Sequence, residues 1–197
     1  MRRGNENDRE LVVKILSVTF ESNPAVRWML RKGKYYNASL QRMANFVFSK
    51  SLRNDGVLIS ANEKGVALYY KANAGVRLIP DFFEELLFII RSVPILKIPV
   101  LIQRELHRKS IRPASKPYLY FWFLGVLPED AGAGFELKNA LFAEARKQQL
   151  PIYLETSIKR NMHVYERIGF QTYHQWIDEA KKITFWFMKW QPGTNDL

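Results

Sequence analysis

The sequence predicts a mixed α/β domain, and three observations carry that prediction. Apolar residues recur at helical spacing over residues 8–55. The period then shortens to that of strands over 57–71. Beyond residue 118, β-rich apolar runs alternate with helical ones. Together they imply a central mixed sheet flanked by helices, carrying a strand–glycine loop–helix unit. At 197 residues the chain fits a single domain, 1–197.

Asn and Asp capping candidates precede Leu11, Ile15, Val18 and Phe20, which predicts a first helix over about 8–21. Pro24 suits the first turn of a second, short helix and Gly33 its end. A third helix carries Leu40, Met43, Phe46 and Val47 on one stripe, with Asn37 or Ser39 near its cap. Val57 to Ser60 and Val66 to Lys71 flank a polar turn at 62–65, a hairpin pattern. Helical segments follow over about 81–92 and 99–108, and "SIRPASKP" reads as an exposed basic linker. The stretch from Tyr118 to Val126 is almost wholly aromatic or aliphatic, as in a strand covered on both faces. A helix with Phe135, Leu141, Phe142 and Ala145 available for the core comes next. Strand "PIYLETS", a short helix ending at Gly169, and strands "FQTYHQW" and "KITFWFMKW" complete the order.

Composition bounds the function. With 47% hydrophobic and 14% aromatic residues the chain can bury a sizeable core, which argues against a disordered segment. No cysteine is present, so disulfides, thiolate metal sites and cysteine nucleophiles are excluded. His107, His163 and His174 lack paired ligand spacing, so no metal is expected. Glu84, Glu85, Arg91, Lys97 and two prolines interrupt the apolar stretch 82–102, so no membrane span is expected there. No secretory pattern follows the first arginines, and a cytoplasmic location is the expectation. The net charge of +11 suits a polyanion or a phosphorylated ligand, or a merely solvated basic surface. No nucleic-acid motif accompanies it, which makes a nucleic-acid-associated protein the lesser alternative.

The loop "VLPEDAGAGF", Val126 to Phe135, places two glycines at the mouth of a helix. The first turn of a helix carries N–H groups without intrahelical partners, and the macrodipole adds partial positive charge. Glycines there let a phosphate approach the main chain. A tight turn explains such a pair equally well. The order of this loop, then "IYLETS" at Ile152 to Ser157, then "NMHVYERIGF" at Asn161 to Phe170, resembles the GNAT superfamily of N-acetyltransferases. Its members show a strand ending in Val-x-Pro, a pyrophosphate loop Arg/Gln-x-x-Gly-x-Gly/Ala, and a later Tyr-Glu-x-x-Gly-Phe. The resemblance covers about Tyr118 to Tyr173, a little more than a quarter of the chain.

The resemblance implies a GNAT-like acyl-CoA N-acyltransferase fold, with acetyl-CoA as co-substrate between two splayed parallel strands, Tyr118–Val126 and Ile152–Thr156. It implies main-chain pairing of the pantetheine arm near Leu124 and Val126, and the pyrophosphate on N–H groups of Ala131, Gly132, Ala133 and Gly134. Asn161 would reach the pantetheine arm, besides being a helix-cap candidate. Tyr165 would give a proton to the departing thiolate, besides packing its helix. Glu155 has two readings, a base acting through water for an ammonium acceptor or a salt-bridged glutamate. The acceptor expected is a small-molecule or peptide amine. The loop departs from the family pattern: Ala131 stands where Arg or Gln is usual, and Glu136 where Gly or Ala closes the motif. A carboxylate there is unfavourable unless it points away or pairs with a base such as Lys138. A degenerate acyl-CoA-binding protein of the same fold is therefore the main alternative. Residues 72–117 read as a helical insertion covering the acceptor side or as a stabilising cap. The aromatic last strand reads as an internal strand or as one pairing across a homodimer.

Overall fold

A computed structural model describes residues 1–73, 79–113, 116–178 and 182–193. Seven strands form one sheet in the order β1-β2-β3-β4-β5-β7-β6. They are β1 (Arg2–Arg3), β2 (Val57–Ile59), β3 (Gly65–Ala72), β4 (Tyr118–Val126), β5 (Ile152–Thr156), β6 (Gln171–Asp178) and β7 (Ile183–Trp190). Every neighbouring pair is antiparallel except β4–β5. The helices are α1 (Arg9–Phe20), α2 (Pro24–Met29), α3 (Tyr36–Leu52), α4 (Ile79–Ser92), α5 (Ile98–Ser110), α6 (Ala131–Gln148) and α7 (Lys159–Arg167).

Period-two alternation sends strand side chains to two different layers. Val57, Ile59, Val66 and Leu68 meet Val12, Ile15 and Leu16 of α1 and Met43, Val47 and Phe48 of α3. Leu58, Ala67, Leu119, Phe121, Ile152 and Leu154 meet Leu137, Leu141 and Ala145 of α6 and Met162 of α7. Gly125 is needed for this packing: a Cβ there would lie 2.8 Å from Thr19 Oγ1 and 3.1 Å from Ile15 Cγ2, so α1 would be pushed off β4. Asn23 caps α2 by accepting from the N–H of Ala25 and Val26, with Pro24 in the first turn as expected. Gly169 takes φ +97° just past α7 and lets the chain turn into β6.

Several sequence expectations change. Helix α2 ends at Met29, so Gly33, which opens the next turn, does not end it. Asn37 and Ser39 lie inside α3, which starts at Tyr36, so neither caps it. Phe135 is 61% exposed, because Ala133, Leu137 and Leu141 make the buried stripe of α6 instead. The linker arginine Arg112 is buried, its side chain only 7% exposed. It folds back over β4 and stacks its guanidinium 3.9 Å from the centre of the Tyr120 ring. The two-residue β1 is too short to be read from periodicity, yet it pairs with β2 and is pinned by Arg2 on Asp8 at 2.6 and 2.8 Å. Strand β7 lies between β5 and β6, so it is an internal strand of this sheet. Among the described residues no helix is long and apolar enough to cross a membrane.

Candidate active site

Strands β4 and β5 diverge, and one extra residue accounts for it. They pair only at Leu119↔Ile152 and Tyr120↔Tyr153. In the β3–β4 ladder, Tyr69 faces Phe121 while Leu68 faces Phe123, so Trp122 is a bulge residue with no partner. A bulge bends its strand and increases its twist, and beyond it β4 follows β3 while β5 follows β7. The bulge also resets which N–H groups point outward. Leu127 N–H donates to Lys64 on the β3 side at 2.9 Å. Alternation then directs the N–H groups of Leu124 and Val126 toward the gap left by β5.

A cavity of 460 Å³ fills this gap and continues under α4 and α5. Leu124, Glu155, Asn161 and Tyr165 all line it, together with Phe46, Phe88, Trp122, Arg104 and Arg108. Val126, the last residue of β4, and residues 131–134, in the first turn of α6, are not among its walls. Residues 98–110 of the predicted helical insertion thus border the cavity directly.

Tyr165 packs edge-on against Phe170 and Phe121, with ring centres 5.6 and 6.4 Å apart. Burial pushes its hydroxyl up to about 12, so it stays protonated at neutral pH. Asn161 does not cap α7, whose N-cap position is Ile158; its side chain is exposed at the cavity margin. Glu155 is salt-bridged. Arg104 donates to Oε1 at 2.5 Å, while Arg108 and Arg112 stand 3.8 and 3.5 Å away. Burial alone would raise this carboxyl, but the three guanidiniums outweigh it and hold it at about 2. A carboxylate held there is a poor proton acceptor at neutral pH, so the geometry favours the salt-bridged reading over the base.

The glycine loop has a specific geometry. Helix α6 begins at Ala131, so Gly132 and Gly134 lie inside its first turn. Neither takes a positive φ. A Cβ on Gly134 would make an ordinary contact of 3.4 Å with Val126, and one on Gly132 would come within 3.2 Å only of Asp130 Oδ1. The fold therefore does not require glycine at either place, although glycine weakens a helix by about 1 kcal/mol relative to alanine. Glu136 points away from the helix mouth, toward the N-terminal ammonium of Met1 and the N–H of Ala61. Lys138 is not its partner in that pairing; its ammonium lies 4.3 Å from the centre of the Phe135 ring.

Sequence reasoning missed Asp130. Its carboxylate accepts from the N–H groups of Gly132 and Ala133 at 3.0 and 3.3 Å and from the side chain of Asn62. The hydrogen bond from Asn62, then those from the main chain, lower its pKa. An aspartate just before a helix is a common N-cap, and that signal was present in the sequence. Arg104, Arg108 and Arg112 were read only as part of the overall basic charge, although four-residue spacing sets Arg104 and Arg108 on one helix face. Among the described residues no group of three or more acidic or histidine side chains is placed to hold a metal.

No protein-family model matches the sequence, and no curated protein matches it. Solved structures do. A Corynebacterium glutamicum protein described as histone acetyltransferase HPA2 and related acetyltransferase superposes with TM-score 0.68 at 18% identity, over 100% of this chain and 97% of the other. Arylalkylamine N-acetyltransferase 2 of Aedes aegypti gives 0.62 at 15%, over 96% and 97%. The polyamine N-acetyltransferase of Drosophila melanogaster, which forms N-acetylagmatine, gives 0.60 at 11%, over 96% and 98%. The mixed seven-stranded sheet, its splayed parallel pair and these likenesses together give the chain the fold of the GNAT acetyltransferases.

Proposed function

We propose that the protein is an N-acetyltransferase that uses acetyl-CoA as acyl donor and an amine as acceptor. The observation that carries this reading is the pair Gly132 and Gly134 inside the first turn of α6, where neither backbone conformation nor packing calls for glycine. Bare main chain at a helix N-terminus suits a pyrophosphate. The outward N–H groups of Leu124 and Val126 suit the amides of a pantetheine arm lying along β4. Glu136, turned toward Met1, does not oppose the phosphates.

The acceptor nitrogen attacks the thioester carbonyl carbon, the carbon–sulfur bond breaks, and the thiolate takes the proton of the Tyr165 hydroxyl. The nitrogen loses its proton to water, since Glu155 is committed to arginines, and water returns a proton to the Tyr165 phenolate. Asn161, at the cavity margin, orients the arm. Asp130 supports a competing reading, an acyl-CoA-binding protein without transfer, because its carboxylate already occupies part of the phosphate seat.

Titration calorimetry with acetyl-CoA and CoA, beside a thiol-release assay over an amine panel, tests both. Micromolar binding is expected, weakened at least about tenfold in Gly134→Glu, where a charged side chain meets the phosphates. In Tyr165→Phe, kcat is expected to fall about 100-fold with binding kept, the lower range for loss of a general acid. Binding without turnover on any amine would select the non-catalytic reading. Absence of binding by folded protein would remove both.

A further inference from the structure

Helices α4 and α5 and the turn that joins them leave much apolar surface uncovered. Among the described residues, eight of the fourteen exposed large apolar side chains lie between Phe83 and Leu106, so exposure is concentrated there. On α4, Phe83, Leu87 and Ile90 follow at helical intervals along an outer stripe, while Phe88 stacks inward on Phe46 of α3 at 5.4 Å. Ile95 and Leu96 occupy a short 3-10 turn (Ile95–Lys97) between the helices and are 77% and 88% exposed. Scattered apolar residues at a surface need no explanation, but a concentration of them marks an interaction surface.

The charge around this turn has one sign. No Asp or Glu occurs between Glu85 and Glu105, nor between Glu21 and Asp55, and these two stretches meet here. The main-chain N–H of Arg31 donates to the carbonyl of Ser92 at 2.9 Å, and its guanidinium donates to that of Ile90 at 3.0 Å. Lys97 donates to the carbonyl of Trp28 and lies over its ring. The groove beside Trp28 is lined by Arg27, Lys32 and Lys182, with no carboxylate among its walls within the described residues. The acids of α4, Asp81, Glu84 and Glu85, all fall in its first half, and Arg53 pairs with Glu84 at 2.9 and 3.0 Å.

We infer that the turn between α4 and α5 docks the protein on the surface of an anionic phospholipid bilayer. Ile95 and Leu96 enter the boundary between headgroups and acyl chains, with Leu87 and Ile90 beside them, and Arg27, Lys32, Arg91 and Lys182 meet lipid phosphates. Neither helix crosses the bilayer; both lie at its surface. Burial of apolar side chains and attraction of basic ones add together in docking of this kind. A second copy of the chain suits the face poorly. A two-fold dimer sets a patch against itself, which here brings bases against bases in a partly dehydrated contact. The inference stands apart from the acetyltransferase reading, because it uses none of the residues assigned to acetyl-CoA or to transfer.

Flotation of the full chain with lipid vesicles tests it. Wild type is expected to partition onto vesicles of equal phosphatidylcholine and phosphatidylglycerol at least about tenfold more strongly than onto phosphatidylcholine alone, and to detach as added salt screens the headgroups. Leu96→Asn is expected to weaken partition onto the mixed vesicles about tenfold, and Lys32→Gln about fivefold. Lys147→Gln makes the same charge change on α6, across the sheet, and is expected to move it less than about twofold. Circular dichroism checks the fold of each variant; if Leu96→Asn is not native, Ile95→Asn carries the comparison. No partition of wild type onto the mixed vesicles overturns the inference. So does partition that is indifferent to Leu96 and equally sensitive to Lys32 and Lys147, since that is adsorption by net charge alone. A sedimentation dimer that Leu96→Asn dissolves, with no vesicle binding by wild type, assigns the face to a second copy and overturns the inference as well.

Discussion

Two carboxylates of this chain occupy positive sites, and their surroundings set them apart. Asp130 is half-buried at the molecule's edge and closes the first turn of α6 by accepting from main-chain N–H groups. Glu155 is buried under α5 and is met by side-chain guanidiniums. At the first site the anion reaches solvent and is held by hydrogen bonds alone, so a phosphate binding there as proposed would exchange one acceptor for another. At the second, removing the anion strands several charges away from water, so the carboxylate is fixed scaffolding. The same charge pattern is thus a replaceable plug in one place and a permanent strut in the other.

Substitution of the strut is expected to have the largest effect. Glu155→Gln is expected to destabilise the fold by about 3–5 kcal/mol, the range for breaking a buried ion pair on one side, read from urea unfolding at pH 7. A loss below about 1 kcal/mol would mean the guanidiniums are solvated and the contrast is false. The same carboxyl predicts acid sensitivity. Its folded pKa of about 2 lies below its ordinary 4.5, so its contribution is complete above pH 4.5 and drains away as pH falls toward 2. Glu155→Gln should flatten the pH dependence of stability in that window.

Removing the plug is a smaller change with opposite signs in two readouts. Asp130→Ala loses an N-cap and should lower stability by about 1 kcal/mol, while acetyl-CoA binding tightens as a competing anion leaves. Weaker binding in this variant would show that Asp130 shapes the loop for its ligand and does not block it. Gly134→Ala should do the reverse: stability rises by about 0.5–1 kcal/mol and acetyl-CoA binds less well. If both quantities rise together, the bare main chain of α6 has no ligand role.

The smallest effect belongs to an intermediate case on α5, the helix that covers Glu155. His107 and His174 share a hydrogen bond at 2.9 Å between their Nε2 atoms, joining α5 to β6. Burial, then the neighbouring His107, lowers the pKa of His174 below its ordinary 6.5. The neutral form is favoured in the folded state, so stability is complete above pH 6.5 and declines as pH falls below it. A shallow drop in melting temperature between pH 7 and 5.5, absent in His174→Phe, would place this half-buried pair between plug and strut.

The elements of the sheet and its flanking helices were legible because their periods are regular and their caps local. Asn23 with Pro24, and Gly169 after α7, act within a few residues of themselves. Features that depend on distant partners were not legible. Arg112 sits in a Pro- and Ser-containing stretch that reads as exposed, and only Tyr120 and Glu155 make it a buried residue. Glu155 was readable as either base or ion pair, and spacing alone could not assign it the arginines that meet it. The bulge at Trp122 leaves no mark in an unbroken aromatic run, because both the regular and the bulged strand are apolar throughout. Asp130 was legible in principle, since its role as N-cap is local.

The position of β7 sets the order in which the site can be built. Strand β5, which carries Glu155, has two paired positions with β4 but five with β7, the last strand in chain order. While the chain is being synthesised, β1 to β4 with α1, α3 and α6 can already assemble one flank of the cleft. The other flank must wait until residue 190 has left the ribosome. Until then an apolar strand edge at β5 stands open to chaperones or to another nascent chain. Strand β5 therefore gains most of its pairing only once β7 has been made, so the parallel pair beside the cavity is completed late.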